Sequence, residues 1–251
     1  MIKQIGQYSK IENGKIRNET SWQKISLRWK KVILIVKRFL LKLDKTLSLF
    51  IRGSIPQGKG KMFISDLDFI ILVRNNRLLN NRYKLNLFKK RILKRFGYII
   101  NIELSIIRHN KIDKLNQFYL KTMSLNLYND NVTYRIEHSK LNISLIKDIQ
   151  KLYLYQIEKS FRLFDKKDFR AWYRWIIKKI IRLNFTLVSL ILEKYSRDLY
   201  LNTKDFLHLY PQKEKLAYIL LEEAIYPSYN YKYIDDIKEH LKWLEYKCYI
   251  L

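Results

Sequence analysis

One cysteine, Cys248, stands in a chain of 251 residues. That excludes an internal disulfide and a thiolate-rich metal site, and leaves the residue the part of a small buried apolar side chain. Glycine occurs six times and proline three times. No Gly/Pro/Ser-rich stretch marks a linker, and no internal repeat is present. Long apolar runs are missing as well. Apolar runs such as Val32 to Val36, and the Phe185 to Leu192 stretch with its Thr and Ser, fall far short of the roughly 20 residues that a membrane-spanning helix needs. The first twenty residues, MIKQIGQYSKIENGKIRNET, lack an apolar core and a small-residue cleavage site, so they do not read as a secretory signal. These absences predict a cytoplasmic protein with no membrane partner.

Acidic side chains are scarce, 23 against 50 basic ones, for a formal charge of +27. Such an excess attracts phosphate-rich partners at long range. The chain is also crowded with Lys, Ile, Asn, Tyr and Phe, as expected when coding DNA is rich in adenine and thymine. Both explanations stand at this point, because basic residues run along the whole chain. The apolar fraction of 48%, with 14% aromatics, is enough to build proper cores.

Hydrophobic periodicity outlines the elements. Ser21 reads as an N-cap, and apolar positions from Ile25 through Trp29, Val32, Ile33, Val36, Leu40 and Leu43 predict a long amphipathic helix. Leu47 to Arg52 predicts a buried strand that ends at Gly53. A loop follows, and Leu67 to Val73 (LDFIILV) predicts a strand buried on both faces. Tyr83 to Phe96 has helical spacing, with Gly97 placed as a C-cap glycine. Tyr98 to Ile107 predicts a third strand, in which Asn101, Glu103 and Ser105 share a face. Beyond about Tyr134 the pattern is helical only, over Leu141–Leu163, Ala171–Tyr195, Thr203–Tyr210, Lys213–Ile225 and Asp235–Cys248. The expected architecture is therefore α/β (α+β): a small mixed-sheet domain over residues 1–134, whose first twenty residues read as a loose arm or surface strap, followed by an all-helical domain over 135–251.

The segment FIRGSIPQGKGKMFISDLDFIIL, Phe50 to Leu72, carries the chemistry. Residues two apart in a strand point to the same side, so Asp66 and Asp68 project together. Two converging hard oxygens suit a small divalent cation such as magnesium, with water and substrate phosphates completing its shell. Gly53 lets backbone approach a phosphate, and the Ser54 hydroxyl and nearby amides can donate to it. Lys59 and Lys61 ride the loop alongside. Asp68 sits in an otherwise apolar strand, where a charge costs several kcal/mol unless paired or metal-bound. Glu103, between Ile102 and Leu104, repeats the anomaly, which predicts one metal site shared by Asp66, Asp68 and Glu103.

These residues resemble the DNA polymerase β-like nucleotidyltransferase superfamily, whose pattern is an apolar strand, Gly-Ser, a loop of about a dozen residues, Asp-x-Asp on the next strand, and a third carboxylate on a later one. Here the pattern reads Arg52-Gly53-Ser54, Ser65-Asp66-Leu67-Asp68 and Glu103, with Gly58 matching a further glycine found in many bacterial members. Ser124 to Val132 looks like the element that follows the third strand in bacterial antibiotic nucleotidyltransferases such as the aminoglycoside enzymes, with Asn129 where a glycine is usual. KKIIRLNFTLVSLILEKYSRDLYL and the pairs Tyr210-Pro211 and Tyr226-Pro227 resemble their helical domain. The resemblance implies two Mg2+ ions held by Asp66, Asp68 and Glu103, a nucleoside triphosphate donor bound by Arg52, Gly53, Ser54, Lys59 and Ser65, and transfer of a nucleoside monophosphate to an acceptor. It leaves open whether Glu103 binds metal or takes the acceptor's proton.

In the helical domain Trp172, Trp175, Ile176, Ile180, Leu183, Leu187 and Leu190 form an apolar stripe, with Lys178, Lys179 and Arg182 on another side. Those cations read either as a solvated basic face or as groups, Lys179 and Arg182 foremost, that reach over a cleft between the domains to the triphosphate. His109, His138, His208 and His240 show no mutual ligand spacing. A small hydroxylated molecule such as an aminoglycoside is the favoured acceptor, although a polycation suits an acidic pocket better than so basic a chain. RNA or a protein side chain is the alternative acceptor, and a non-catalytic nucleic-acid-binding module is the rival of a different class.

Overall fold

The computed structural model describes residues 7–130, 132–136, 140–162 and 169–250. Asn131, His138, Leu163 and the first six residues, all touched by the expectations above, lie outside them. The chain forms two compact units, Arg17–Ser139 and Lys140–Leu251, the second including the N-terminal segment through Ile16.

In the first unit, helix α1 (Leu27–Leu43) buries Trp29, Val32, Ile33, Val36 and Leu40, the three-and-four spacing of one helical face. It begins after Ser26 and not at Ser21. Ser21 instead holds the Gln23 amide at 3.2 Å, and the Ile25 amide donates to Trp22 at 3.2 Å. Trp22 and Ile25 therefore join the core from a turn. Strands β3 (Ser48–Arg52), β4 (Leu67–Val73), β5 (Ile102–Arg108) and β6 (Ser124–Tyr128) follow, the first two strands of the chain belonging to the other unit. The sheet order is β5-β4-β3-β6. β4 runs parallel to β5, while β3 is antiparallel to both β4 and β6, so the sheet is mixed. The parallel pair requires a crossover, supplied by α2 (Arg77–Asn80) and α3 (Arg82–Arg95).

Alternation sorts the side chains. Leu49, Ile51, Leu67, Phe69, Ile71 and Val73 pack into one core with α1 and with Leu85 and Ile92 of α3. Phe50, Ile70 and Leu72 are equally buried on the opposite face, the side on which Tyr119 of α4 (Lys114–Met123) meets Arg52. Gly97 follows α3 but does not adopt the left-handed conformation expected of a cap glycine. The third strand starts four residues later than Tyr98, and Asn101 lies outside it.

In the second unit, β1 (Ile11–Glu12) and β2 (Lys15–Ile16) form a hairpin around Asn13 and Gly14, both left-handed at φ 52° and 73°, the conformation an Asn-Gly turn favours. The segment is not loose: Ile16 is buried, the Ser9 amide donates to Tyr195 at 2.8 Å, and the Tyr8 hydroxyl donates to Asp205 at 2.8 Å. Helices α5 (Ile143–Arg162), α6 (Phe169–Thr186), α7 (Leu199–Leu209), α8 (Glu214–Ile225) and α9 (Tyr233–Ile250) make the rest. α6 packs against each of the other four, which explains why Tyr173, Ile176, Ile177, Ile180, Ile181 and Leu183 are all fully buried. It ends at Thr186, short of the expected Tyr195, and the chain continues in turns to Glu193 at φ 50°. Among the described residues no helix is long and apolar enough to cross a membrane.

Candidate functional site

A polar row crosses the sheet where β3 ends and β4 begins. Strand register sets Ser124 of β6 beside Arg52, Arg52 beside Asp68, and Asp68 beside Glu103. All four lie on the face opposite the α1–α3 core, so the period of two puts charge at one end of strands that are otherwise apolar. The Ser124 hydroxyl donates to the Tyr119 carbonyl at 2.8 Å, which spends it on holding α4 to the sheet. The Arg52 guanidinium lies over the Tyr119 ring at 5.1 Å and 3.7 Å from Glu103 Oε1. With Glu103 about half exposed, 49% for its side chain, that ion pair contributes at most about 1 kcal/mol. Glu103 is held loosely.

Gly53 closes β3 at φ +92°, and a Cβ there would stand 3.1 Å from Asp68 Oδ2. Both facts require glycine: the backbone is left-handed, and the space a methyl would take belongs to the Asp68 carboxylate. The loop that follows is tied to itself. The Lys59 amide donates to the Ser54 carbonyl at 2.8 Å and the Gly58 amide to Ile55 at 3.0 Å. The Ser54 hydroxyl reaches the Ser65 hydroxyl at 3.1 Å, while Ser65 Oγ accepts from the Lys61 amide at 2.9 Å. Ser65 is buried and braces the two ends of the loop. Gly60 packs so tightly that a Cβ would meet Ile55 at 2.7 Å and the Trp29 indole nitrogen at 3.1 Å. Asp66 directly precedes β4.

The expectation that three carboxylates meet as a cluster is not what the structure displays. Among the described residues no group of three or more His, Cys, Asp or Glu side chains is gathered to hold a metal ion. Glu103 sits on the edge strand, turned to Arg52 and accepting a 3.3 Å hydrogen bond from Ser105. Its charge is therefore not the buried anomaly that flanking Ile102 and Leu104 suggested. Of the three carboxylates, the structure places that of Asp68, a hard oxygen donor, against the glycine, 3.1 Å from where a Cβ would stand.

Arg52, Gly53, Ser54, Lys59, Ser65, Asp66, Asp68 and Glu103 all belong to the first unit, and Lys179 and Arg182 belong to the second. Lys178, Lys179 and Arg182 are half-buried and do not form a solvated face, because α6 is surrounded by its neighbours. The Lys179 ammonium donates to Gln156 at 2.7 Å and lies 4.4 Å from the Tyr153 ring centre. Arg182 lines a cavity of the helical unit with Tyr153, Ser189, Tyr195, Ser196 and Arg197. Arg197 escaped the sequence reading. Its signal was the following Asp198, whose carboxylate caps α7 by accepting from Leu201 at 2.9 Å, so the cation sits where a loop enters a helix. His240, one of the scattered histidines, is buried against Asn184 at 2.8 Å, and burial lowers its pKa to about 4. Cys248 is half-buried, and burial raises its thiol pKa to about 12.

The backbone is similar to that of a solved structure, the spectinomycin adenyltransferase AAD(9) from Enterococcus faecialis with ATP and spectinomycin. The likeness covers 87% of this chain and 98% of that one at a TM-score of 0.59 and 13% sequence identity. At that identity the likeness is one of fold: a mixed α/β sheet unit with a helical C-terminal region. No family profile matches the chain, and no curated protein matches it in sequence.

Proposed function

We propose that this chain is a nucleotidyltransferase that moves a nucleoside monophosphate from a nucleoside triphosphate to a hydroxyl of a small acceptor, with pyrophosphate as the leaving group. The observation that carries the reading is the left-handed Gly53 held against Asp68 Oδ2, at the end of the polar row Arg52–Asp68–Glu103, in a fold shared with an enzyme solved with ATP and a small-molecule acceptor.

In this reading Asp66 and Asp68 hold magnesium, which when bound supplies positive charge to phosphoryl oxygens of the donor. Gly53 lets the triphosphate approach the backbone, and the Ser54 hydroxyl, once turned from Ser65, donates to a phosphate oxygen. Arg52, fixed by Tyr119 and by strand pairing, faces charge that builds as the α-phosphoryl group moves. Glu103, loosely paired and exposed, takes the proton of the attacking hydroxyl. Ser65 acts only through the loop. Lys59, on the loop of the same unit, supplies further positive charge for the triphosphate. Little covalent chemistry is asked of the protein, since such transfers run on positioning and charge stabilisation.

The test uses two labels. With magnesium and a panel of aminoglycosides, aminocyclitols and RNA as acceptors, label from the α-phosphate of ATP passes to the acceptor and label from the γ-phosphate does not. Transfer of the γ-label in place of the α-label would overturn the reading, as would transfer that survives Asp68→Asn. RNA labelled in preference to every small molecule would overturn the choice of acceptor.

A further inference from the structure

We infer that the outer surface of the α1–α3 layer is a docking face for the phosphodiester backbone of RNA, distinct from the polar row on the other side of the sheet. The two helices lie side by side, with Phe39 of α1 stacked on Phe88 of α3 at 3.8 Å. Together they carry thirteen lysines and arginines and no aspartate or glutamate. No acidic residue occurs between Glu19 and Asp44, nor between Asp68 and Glu103.

This segregation separates the two explanations of the chain's charge. A coding bias spreads its effect evenly, and with 23 acids against 50 bases in the whole chain, thirteen charges drawn at random would include about four acids. The layer has none. Nor are its cations neutralised from elsewhere: no ion pair among the described residues involves them. Arg28, Lys31, Arg38 and Lys42 on α1 and Arg82, Lys84, Lys90, Arg91, Lys94 and Arg95 on α3 are exposed. Like charges crowded without counter-ions repel one another and raise the local potential. A polyanion relieves that repulsion and gains by releasing its own condensed cations.

The apolar faces of both helices argue for RNA over a lipid surface. A membrane-seated helix inserts its apolar face among acyl chains. Here that face is taken by the protein core: Trp29, Val32, Ile33, Val36 and Leu40 of α1 and Leu85 and Ile92 of α3 are buried in it. Only Leu27, Leu34, Tyr83 and Leu87 remain as exposed apolar side chains of the layer.

Fluorescence anisotropy with a labelled RNA duplex of about two helical turns tests the inference, over a salt series. The triple variant Lys90→Glu, Arg91→Glu, Lys94→Glu is compared with Lys215→Glu, Lys232→Glu, Lys242→Glu, which makes the same change in net charge on exposed positions of the other unit. The expected result is a loss of at least tenfold in affinity for the α3 variant, with its log–log salt slope reduced by about 2 to 3, and less than a threefold loss for the control. Equal losses would overturn the inference in favour of undirected charge. So would tighter binding to vesicles of anionic phospholipid than to RNA, or no binding by the wild type. Circular dichroism at the assay temperature establishes that both variants are folded, and three single Gln substitutions at the same α3 positions replace a triple variant that is not. Retention of wild-type affinity by those three also counts against the inference.

Discussion

Replacing Gly53 with alanine strikes the site with the smallest possible change. The added methyl would sit 3.1 Å from Asp68 Oδ2, and the backbone it decorates has φ +92°. An L residue in a sparsely populated positive-φ region costs about 1 to 3 kcal/mol. The carboxylate must then move by a few tenths of an ångström or the loop must turn away. Gly97→Ala is the matched control: nothing lies within 4 Å of its Cβ and its φ is not positive, so it is neutral or stabilises by up to about 1 kcal/mol. For a chain of this size, Gly53→Ala then lowers the melting temperature by about 3 to 10 °C. The larger effect is on ligand response. A nucleotide present at about a hundred times its dissociation constant stabilises the folded state by about 2.7 kcal/mol, a rise of about 5 to 10 °C that scanning fluorimetry reads directly. Gly53→Ala abolishes that rise, while Gly97→Ala keeps it. A Gly53→Ala protein that melts like wild type and still responds to ATP with magnesium would refute the role given to Gly53.

Glu103→Gln should alter stability by less than about 1 kcal/mol, because the pair it breaks is loose and half-exposed. The same change should slow label transfer by about 100-fold or more if Glu103 takes the acceptor proton, with ATP binding retained. His240 makes stability pH-dependent: its folded pKa lies near 4 against an ordinary 6.5, so the unfolded chain binds its proton first on acidification. Stability from this group is complete above pH 6.5, declines by about 2 kcal/mol on reaching pH 5, and levels off below 4. Urea titrations at several pH values check this, and His240→Gln removes that part of the slope. Tyr8→Phe leaves the buried Asp205 without its 2.8 Å donor and should cost about 1 to 3 kcal/mol; an unchanged urea midpoint would show that this hydrogen bond does not stabilise the helical unit.

Strands β3 and β4 were legible because each is a short apolar run closed by turn residues, and Asp68 stood out because nothing else in LDFIILV is charged. The exposure of Glu103 was not legible. It depends on β5 being the edge of the sheet, which follows from strand order and not from any local pattern. Ser21 looked like a helix cap because Trp22 and Ile25 continue the apolar spacing of α1, yet they reach the core from a turn. Asn129, which departs from the glycine expected there, takes the left-handed conformation a glycine would take, at φ 54°. Asparagine tolerates that region better than other side chains do, so the departure is chemical more than geometric. The Asn13-Gly14 pair is a hairpin signal carried by the sequence, and it outweighs the polarity that suggests a loose arm. Helix α4 was also missed, although Asp113 caps it through Asn116 at 2.7 Å. Arg197 could be found only once α7 was seen to start at Asp198.

In the proposed reading Asp68, beside Gly53 and Ser54, binds a nucleoside triphosphate with magnesium. It is tested most directly by the melting temperature of wild type and Asp68→Asn with ATP, each with magnesium and with EDTA. A rise is expected for wild type only when magnesium is present, and none for Asp68→Asn in either condition. Equal rises in all four samples, or no rise in wild type with magnesium and any of the four common nucleoside triphosphates, would contradict it.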